Sequence, residues 1–125
     1  MTPVSDAALT PDLALAYLDE LSTDIRAAAV LDESGAVAAR SGFDEGADDG
    51  LGELLAGLFD GAAAAAGDGP APDQLEVALP EGLVYAVRGS GWTLAVVAGR
   101  YALSSLMLYD LRMVVRDLAG PAATP

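Results

Sequence analysis

The sequence contains no cysteine, no histidine and no lysine. Without cysteine it has no disulfide and no thiolate metal site. Without histidine it also lacks the side chain most often used as a general base or a metal ligand near neutral pH. Only carboxylates and hydroxyls remain for chemistry, and no motif arranges them as a nucleophile with a base to activate it. The sequence therefore predicts no catalytic residue, no metal site and no cofactor, and indicates a protein that is not an enzyme.

Large side chains and long apolar runs are also scarce. The chain has one Trp, two Phe and four Tyr, although 53% of its residues are hydrophobic, because much of that fraction is alanine. No stretch approaches the roughly 20 apolar residues of a membrane span. The first residues, Met1 to Asp6, show no basic region followed by an apolar run, so no secretory signal is expected. We therefore expect no membrane span and a cytoplasmic protein.

Basic residues are the third shortage, because 19 acidic residues face only six arginines and the net charge is −13. Nucleic acid and anionic membranes are not expected partners, since both require Lys or Arg to neutralise their phosphates. An acidic surface can steer a basic protein partner towards the chain. It can equally be a solvated surface with no particular partner, and the charge alone leaves both interpretations open.

Periodicity predicts one domain over residues 10–119, between a flexible N-terminus of residues 1–9 and a flexible tail of residues 120–125. Thr10 and Pro11 are typical of a helix start. The apolar positions that follow recur at helical spacing and predict one stripe: Leu13, Tyr17, Leu18, Leu21 and Ile25. A second helix is predicted over 51–66 and a third from about 103 to 119, which Gly120 and Pro121 end.

Five short strands are predicted between these helices. Residues 27–31 and 36–40 surround an acidic turn that ends in Gly35, and indicate a hairpin. Residues 74–79, 83–88 and 92–98 follow, separated by tight turns. The last of these is apolar on both faces, which predicts a central position in the sheet. The expected fold is α+β, an α/β sandwich in the order α-β-β-α-β-β-β-α, with helices on both faces of a five-stranded antiparallel sheet.

Two loops superficially suggest ligand sites. The loop 42–50 carries four carboxylates without the spacing of an EF-hand, so we interpret it as a solvated acidic loop: Asp44, Glu45, Asp48 and Asp49. Gly89-Ser90-Gly91 lacks a third glycine and leads into a strand, so it is interpreted as a hairpin turn and not a phosphate loop. Neither segment predicts a bound ligand.

The order of elements resembles that of the roadblock (dynein light chain) family. The hairpin from Val30 to Val37 is similar to the first hairpin of the family. The segment from Tyr85 to Val97 is similar to its last hairpin, which feeds a long C-terminal helix. The resemblance spans about residues 11–119 and is one of topology and hydrophobic pattern, because the family has no catalytic motif.

This resemblance implies a dimer, with a second copy or with a paralogous roadblock protein. Family members pair through their second helices and their edge third strands. The interface residues implied here are Leu51, Leu54, Leu55, Leu58, Phe59, Ala62, Gln74, Glu76 and Ala78. Prokaryotic members commonly bind small Ras-like GTPases and modulate their nucleotide cycle, which implies a regulatory or scaffold role. The acidic loop 42–50 departs from the family pattern.

Arg88 and Arg100 are the candidate partner contacts outside that interface. In so acidic a chain a salt bridge with a nearby carboxylate is the favoured interpretation, and an arginine finger acting on a GTPase is the alternative.

A different class of function is a profilin-like or PAS-like domain that senses a small ligand, since these folds also surround a five-stranded sheet with helices. It requires a pocket between sheet and helix near Tyr85 and Trp92. The alanine-rich first hairpin leaves room for one.

Overall fold

The computed structural model describes residues 9–42 and 48–118, and of Asp48 and Asp49 only the backbone. Within these ranges the chain forms three helices and five strands in the predicted order: α1 (Pro11–Leu21), β1 (Ile25–Leu31), β2 (Val37–Ser41), α2 (Asp48–Ala66), β3 (Gln74–Leu79), β4 (Gly82–Gly89), β5 (Trp92–Gly99) and α3 (Ser104–Leu118). The α+β prediction is confirmed. Of the predicted acidic loop 42–50, residues 43–47 lie outside the described residues and residues 48–50 already belong to α2. Residues 1–8 of the predicted flexible N-terminus, the predicted tail of residues 120–125 and the expected end of the third helix at Ala119 also lie outside them.

The strands form a single sheet in the order β2-β1-β5-β4-β3. Every neighbouring pair is antiparallel, as the tight turns predict. The strand predicted to be central, β5, does lie in the middle. The two edge strands are β2 and β3. The second strand of the first hairpin therefore forms one edge of the sheet, and the first strand of the second hairpin forms the other.

The sheet is covered on both faces. On one face α1 and α3 pack over a core that includes Val30, Tyr85, Leu94 and Val96, all fully buried. On the other face α2 packs over a smaller cluster whose floor is mainly alanine. Alanine floors allow a helix to approach the sheet closely, because their side chains add little height.

The predicted stripe of α1 is wrong in its rotation. Thr10 does cap the helix, accepting a hydrogen bond from the Leu13 amide at 3.2 Å. The buried side, however, is formed by Ala14, Leu15 and Leu18. The remaining members of the predicted stripe do not face the core as part of this helix, because Leu13, Tyr17 and Leu21 are exposed and Ile25 already belongs to β1.

The glycines of α2 differ in their surroundings. A Cβ at Gly52 would collide with the carbonyl oxygen of Gly35, in the turn between β1 and β2. A Cβ at Gly57 or Gly61 would meet nothing within 4 Å. Among these three glycines, only Gly52 is therefore required by a close backbone approach within the chain.

Candidate functional site

The inner side of α2 is buried against the chain's own sheet. Leu55 and Phe59 are each only 2% exposed and pack with Leu31 and the alanines of the floor. Leu51 and Leu58 are half-buried at the margin of the same cluster. Of the residues predicted to form an interface, Leu55 and Phe59 therefore contribute to the core of the domain itself.

One exposed row of α2 is apolar. Leu54 is 59% exposed, and the exposed row that contains it is Leu54, Gly57, Gly61 and Ala65. These positions follow one another at spacings of three and four residues, so they share one face of the helix. The exposed carboxylates of Glu53 and Asp60 flank this row, four and three residues from Gly57. In a chain of net charge −13, a row of four exposed positions without charge is a distinct surface.

Strand β3 presents an open backbone edge. The Arg88 amide donates to the Asp73 carbonyl at 2.8 Å, which fixes the alternation of the β3–β4 ladder. In this register every second residue of β3 directs its N–H and C=O away from β4: Gln74, Glu76 and Ala78. No described strand covers this edge.

Side chains on the two faces of β3 have different roles. Gln74 accepts a hydrogen bond from the Arg112 guanidinium at 2.5 Å, and Glu76 accepts one from the Ser104 hydroxyl at 2.9 Å. Both bonds attach β3 to α3. On the opposite face Leu75 packs in the cluster beneath α2, and Leu79 is 47% exposed. The α2 face and the β3 edge are thus joined through one apolar cluster.

Arg88 lies in a groove at the turn end of the sheet. The groove has a volume of about 960 Å³ and runs between the β1–β2 turn, the β4–β5 turn and the first half of α2. The guanidinium carbon of Arg88 lies 4.2 Å from the centroid of the Phe59 ring, and its Nε donates to the Thr93 hydroxyl at 3.4 Å. The favoured interpretation of Arg88, a salt bridge with a carboxylate, is not seen among the described residues. The Phe59 ring and the Thr93 hydroxyl hold this cation instead.

Arg100 is far from Arg88 along the sheet. Arg88 is paired with the first residues of β5, whereas Arg100 follows its last residue. The Arg100 guanidinium lies 5.9 Å from the ring centroid of Tyr101, a side chain that is 87% exposed. The structure therefore does not bring the two candidate arginines into one site.

The pocket expected near Tyr85 and Trp92 is not formed around both residues. Tyr85 is fully buried, and its hydroxyl is 2.9 Å from that of Ser104. Trp92 is half-buried and lines the groove that contains Arg88. The groove is therefore bounded by the hairpin turns and α2, a location that the spacing of aromatic residues does not indicate.

The described part of the chain has neither a metal-binding group of carboxylates nor a membrane-spanning helix. Within residues 9–42 and 48–118, no group of three or more Asp or Glu side chains is placed to hold a metal ion. No helix in these ranges is long and apolar enough to cross a membrane.

Comparison with known structures identifies the fold. The Roadblock/LC7 domain from Streptomyces avermitilis matches with 29% identity and a TM-score of 0.77 over 87% of this chain and 94% of that one. MglB of Myxococcus xanthus matches with 18% identity and a TM-score of 0.67 over 85% and 84% of the two chains. A structure of MglB with tetrameric arrangement matches with 19% identity and a TM-score of 0.68 over 87% of both chains. No protein-family model and no curated protein matches the sequence. The resemblance predicted from the sequence is confirmed.

Proposed function

We propose that this chain, which has the roadblock/LC7 fold, is a non-catalytic regulatory protein that acts as a dimer and binds a small Ras-like GTPase. The observation that carries the proposal is the uncharged row of α2, formed by Leu54, Gly57, Gly61 and Ala65, beside the open edge of β3. The family resemblance supplies the partner class. The fold similarity to MglB supports the same type of function.

The proposed dimer buries the two features that a lone chain leaves exposed. Pairing of β3 with its copy gives partners to the outward amides and carbonyls of Gln74, Glu76 and Ala78. Each such backbone hydrogen bond contributes about 1 kcal/mol net. Packing of α2 against its copy covers Leu54, and the bare backbone at Gly57 and Gly61 permits a short distance between the helix axes. Among the predicted interface residues, Leu51, Leu54, Leu58 and Ala62 then meet the partner, while Leu55 and Phe59 support them from below.

The dimer is tested by placing a charge on the α2 face. Leu54→Glu buries a carboxylate against its symmetry-related copy, so the dissociation constant of the dimer is expected to rise by a factor of about 100 or more. Leu106→Glu is the matched control, because Leu106 is 56% exposed on the opposite layer. Light scattering after size-exclusion chromatography measures both. A monomeric wild-type protein, or equal dimerisation of the two variants, would contradict the proposal.

GTPase binding is tested separately. Ras-like GTPases of the native host, loaded with GDP or a non-hydrolysable GTP analogue, are titrated against the wild-type dimer and the Leu54→Glu variant. Binding that depends on the nucleotide and weakens in the variant is expected. If the protein is a dimer but binds none of these GTPases in either nucleotide state, the proposed dimer stands and the proposed GTPase partner is rejected.

A second candidate function is sensing of a small ligand. The groove of about 960 Å³ favours it, since the volume suits a small molecule and the lining offers polar groups, among them the Arg88 guanidinium and the carboxylates of Asp32, Glu33 and Glu53. Native mass spectrometry of the purified protein tests this function. A bound small molecule that is lost in Arg88→Ala supports it, and a mass equal to that of the polypeptide argues against it.

A further inference from the structure

The layer of α1 and α3 exposes most of the large apolar side chains. Within the described residues nine large hydrophobic side chains are exposed, and seven of them belong to α1 or to the segment that leads into and through α3: Leu13, Tyr17, Leu21, Tyr101, Leu103, Leu106 and Tyr109. The dimer proposed above covers only the other two, Leu54 and Leu79. It therefore leaves the α1–α3 layer open on both of its subunits.

The clearest pattern in this layer is on α1. Leu13, Tyr17 and Leu21 are 57%, 45% and 42% exposed and recur at every fourth residue. They form one row that extends about 12 Å along the helix. This row is not needed for the core, because Ala14, Leu15 and Leu18 supply the buried side of the helix.

The charges that α1 itself places beside this row have one sign. The adjoining row is Asp12, Ala16 and Glu20, all exposed, and it contributes two carboxylates. Asp19 and Asp24 are exposed as well. The helix has no basic residue. On α1 itself the apolar row is flanked by carboxylates alone, and such a row complements an apolar row flanked by lysines or arginines.

A second copy of this chain does not complement this surface. Each chain carries a net charge of −13, and bringing two α1 helices together would place carboxylates opposite carboxylates. The charge pattern instead favours a partner with an excess of basic residues.

We propose that the outer face of α1, defined by Leu13, Tyr17 and Leu21, docks a basic amphipathic helix of a partner protein. The apolar side of that helix covers the three side chains, and its flanking cations meet Asp12 and Glu20. Helical segments with anchors at every third or fourth residue bind apolar surfaces in this way. The site is independent of the α2 face and the β3 edge, so it does not require the dimer.

The test uses two synthetic peptides of about 14 residues, roughly four helical turns. Both carry leucines on one helical face, and the rest is lysine in one peptide and glutamate in the other. Binding to the full chain is followed by isothermal titration calorimetry. The leucine–lysine peptide is expected to bind at least tenfold more tightly than the leucine–glutamate peptide.

Variants locate the binding. The double variant Leu13→Ser/Tyr17→Ser is expected to weaken binding of the leucine–lysine peptide at least tenfold, because it removes two apolar anchors. Asp12→Asn/Glu20→Gln is expected to weaken it severalfold and to reduce its salt dependence. Leu54→Ser is the matched control on the opposite layer and is expected to leave the affinity unchanged in either oligomeric state.

Three results would overturn the proposal. The first is equal affinity for the two peptides. The second is undiminished binding to the Leu13→Ser/Tyr17→Ser variant, which assigns the binding to the acidic surface at large. The third is a fall in oligomeric mass in that variant alone, which shows that the face binds a second copy of this chain.

Discussion

At the scale of single residues, Asp32 organises the first hairpin turn. Its Oδ1 accepts hydrogen bonds from the amides of Ser34 and Ala36, at 2.9 and 3.1 Å, and from the Ser34 hydroxyl at 2.6 Å. The turn closes at Gly35, whose φ of +88° is a conformation that glycine adopts without steric cost. The bond from the Ser34 hydroxyl, followed by that from the Ala36 amide, holds the pKa of Asp32 below the ordinary value for aspartate. The turn therefore depends on the ionised form of this carboxylate.

The pH dependence of this turn follows from the direction of the shift. A pKa lowered by folding contributes stability above the ordinary aspartate pKa, and this contribution is lost as the pH falls through the lower folded pKa. Ser34→Ala removes the largest cause, so the Asp32 pKa is expected to rise towards its ordinary value. Carboxyl carbon chemical shifts in an NMR titration measure it. An unchanged Asp32 pKa in Ser34→Ala would show that the backbone amides alone lower it.

At the scale of elements, the sequence predicts the existence of each helix better than its rotation. In α1 nearly every position from Leu13 to Leu18 is apolar, so the period indicates a helix but does not identify the side that faces the sheet. The small Ala14 lies inward with Leu15 and Leu18, whereas the larger Leu13 and Tyr17 lie outward. Hydrophobicity alone cannot distinguish these rows, because the choice depends on the shape of the sheet beneath them.

The same limit applies to α2. The large apolar residues of α2 lie on more than one side of the helix, and the structure separates an inner set that includes Leu55 and Phe59 from the exposed Leu54. The contact of Arg88 with Phe59 was not predictable from the sequence, because it joins residues from α2 and β4 that meet only through the fold. Edge position was predictable for β3, since the order of elements and the resemblance both imply it.

The two kinds of glycine in α2 predict opposite effects of alanine. Gly52→Ala forces a Cβ against the Gly35 carbonyl oxygen, so we expect it to lower the free energy of unfolding by about 1–3 kcal/mol. Gly57→Ala has open space at its Cβ and raises helix propensity, so in the Leu54→Glu background it should raise that free energy by about 1 kcal/mol.

Urea denaturation of the wild type, Gly52→Ala, Leu54→Glu and Leu54→Glu/Gly57→Ala measures both effects on the free energy of unfolding. In the dimer, Gly57→Ala is expected to raise the dissociation constant, because a methyl group separates helices that pack closely. Equal destabilisation by the two alanines would contradict the assignment of Gly57 to an open surface.

At the scale of the whole molecule, the net charge of the two chains opposes the proposed dimer. Two chains of net charge −13 repel each other, and the exposed carboxylates of Glu53, Asp60 and Glu76 lie beside the proposed contact. The α2 row and the β3 backbone, which form the contact, carry no charge, because the row itself has no ionisable side chain and the β3 contact is made by backbone groups. The favourable terms are therefore apolar burial and hydrogen bonding, which salt does not screen. The unfavourable term is long-range repulsion, which falls off over a Debye length of about 10 Å at 0.1 M salt.

Added salt is thus expected to strengthen the dimer. Raising sodium chloride from about 0.02 to about 0.5 M shortens the Debye length severalfold, so the dissociation constant of the wild-type protein should fall several-fold in analytical ultracentrifugation. Binding of a basic segment to α1 should respond in the opposite sense, because salt screens the attraction to Asp12 and Glu20. A dimer that weakens as salt is added would indicate ion pairs across the interface. It would place the contact elsewhere than on the α2 row, since Leu54, Gly57 and Gly61 offer no charge to pair and the flanking Glu53 and Asp60 are both acidic.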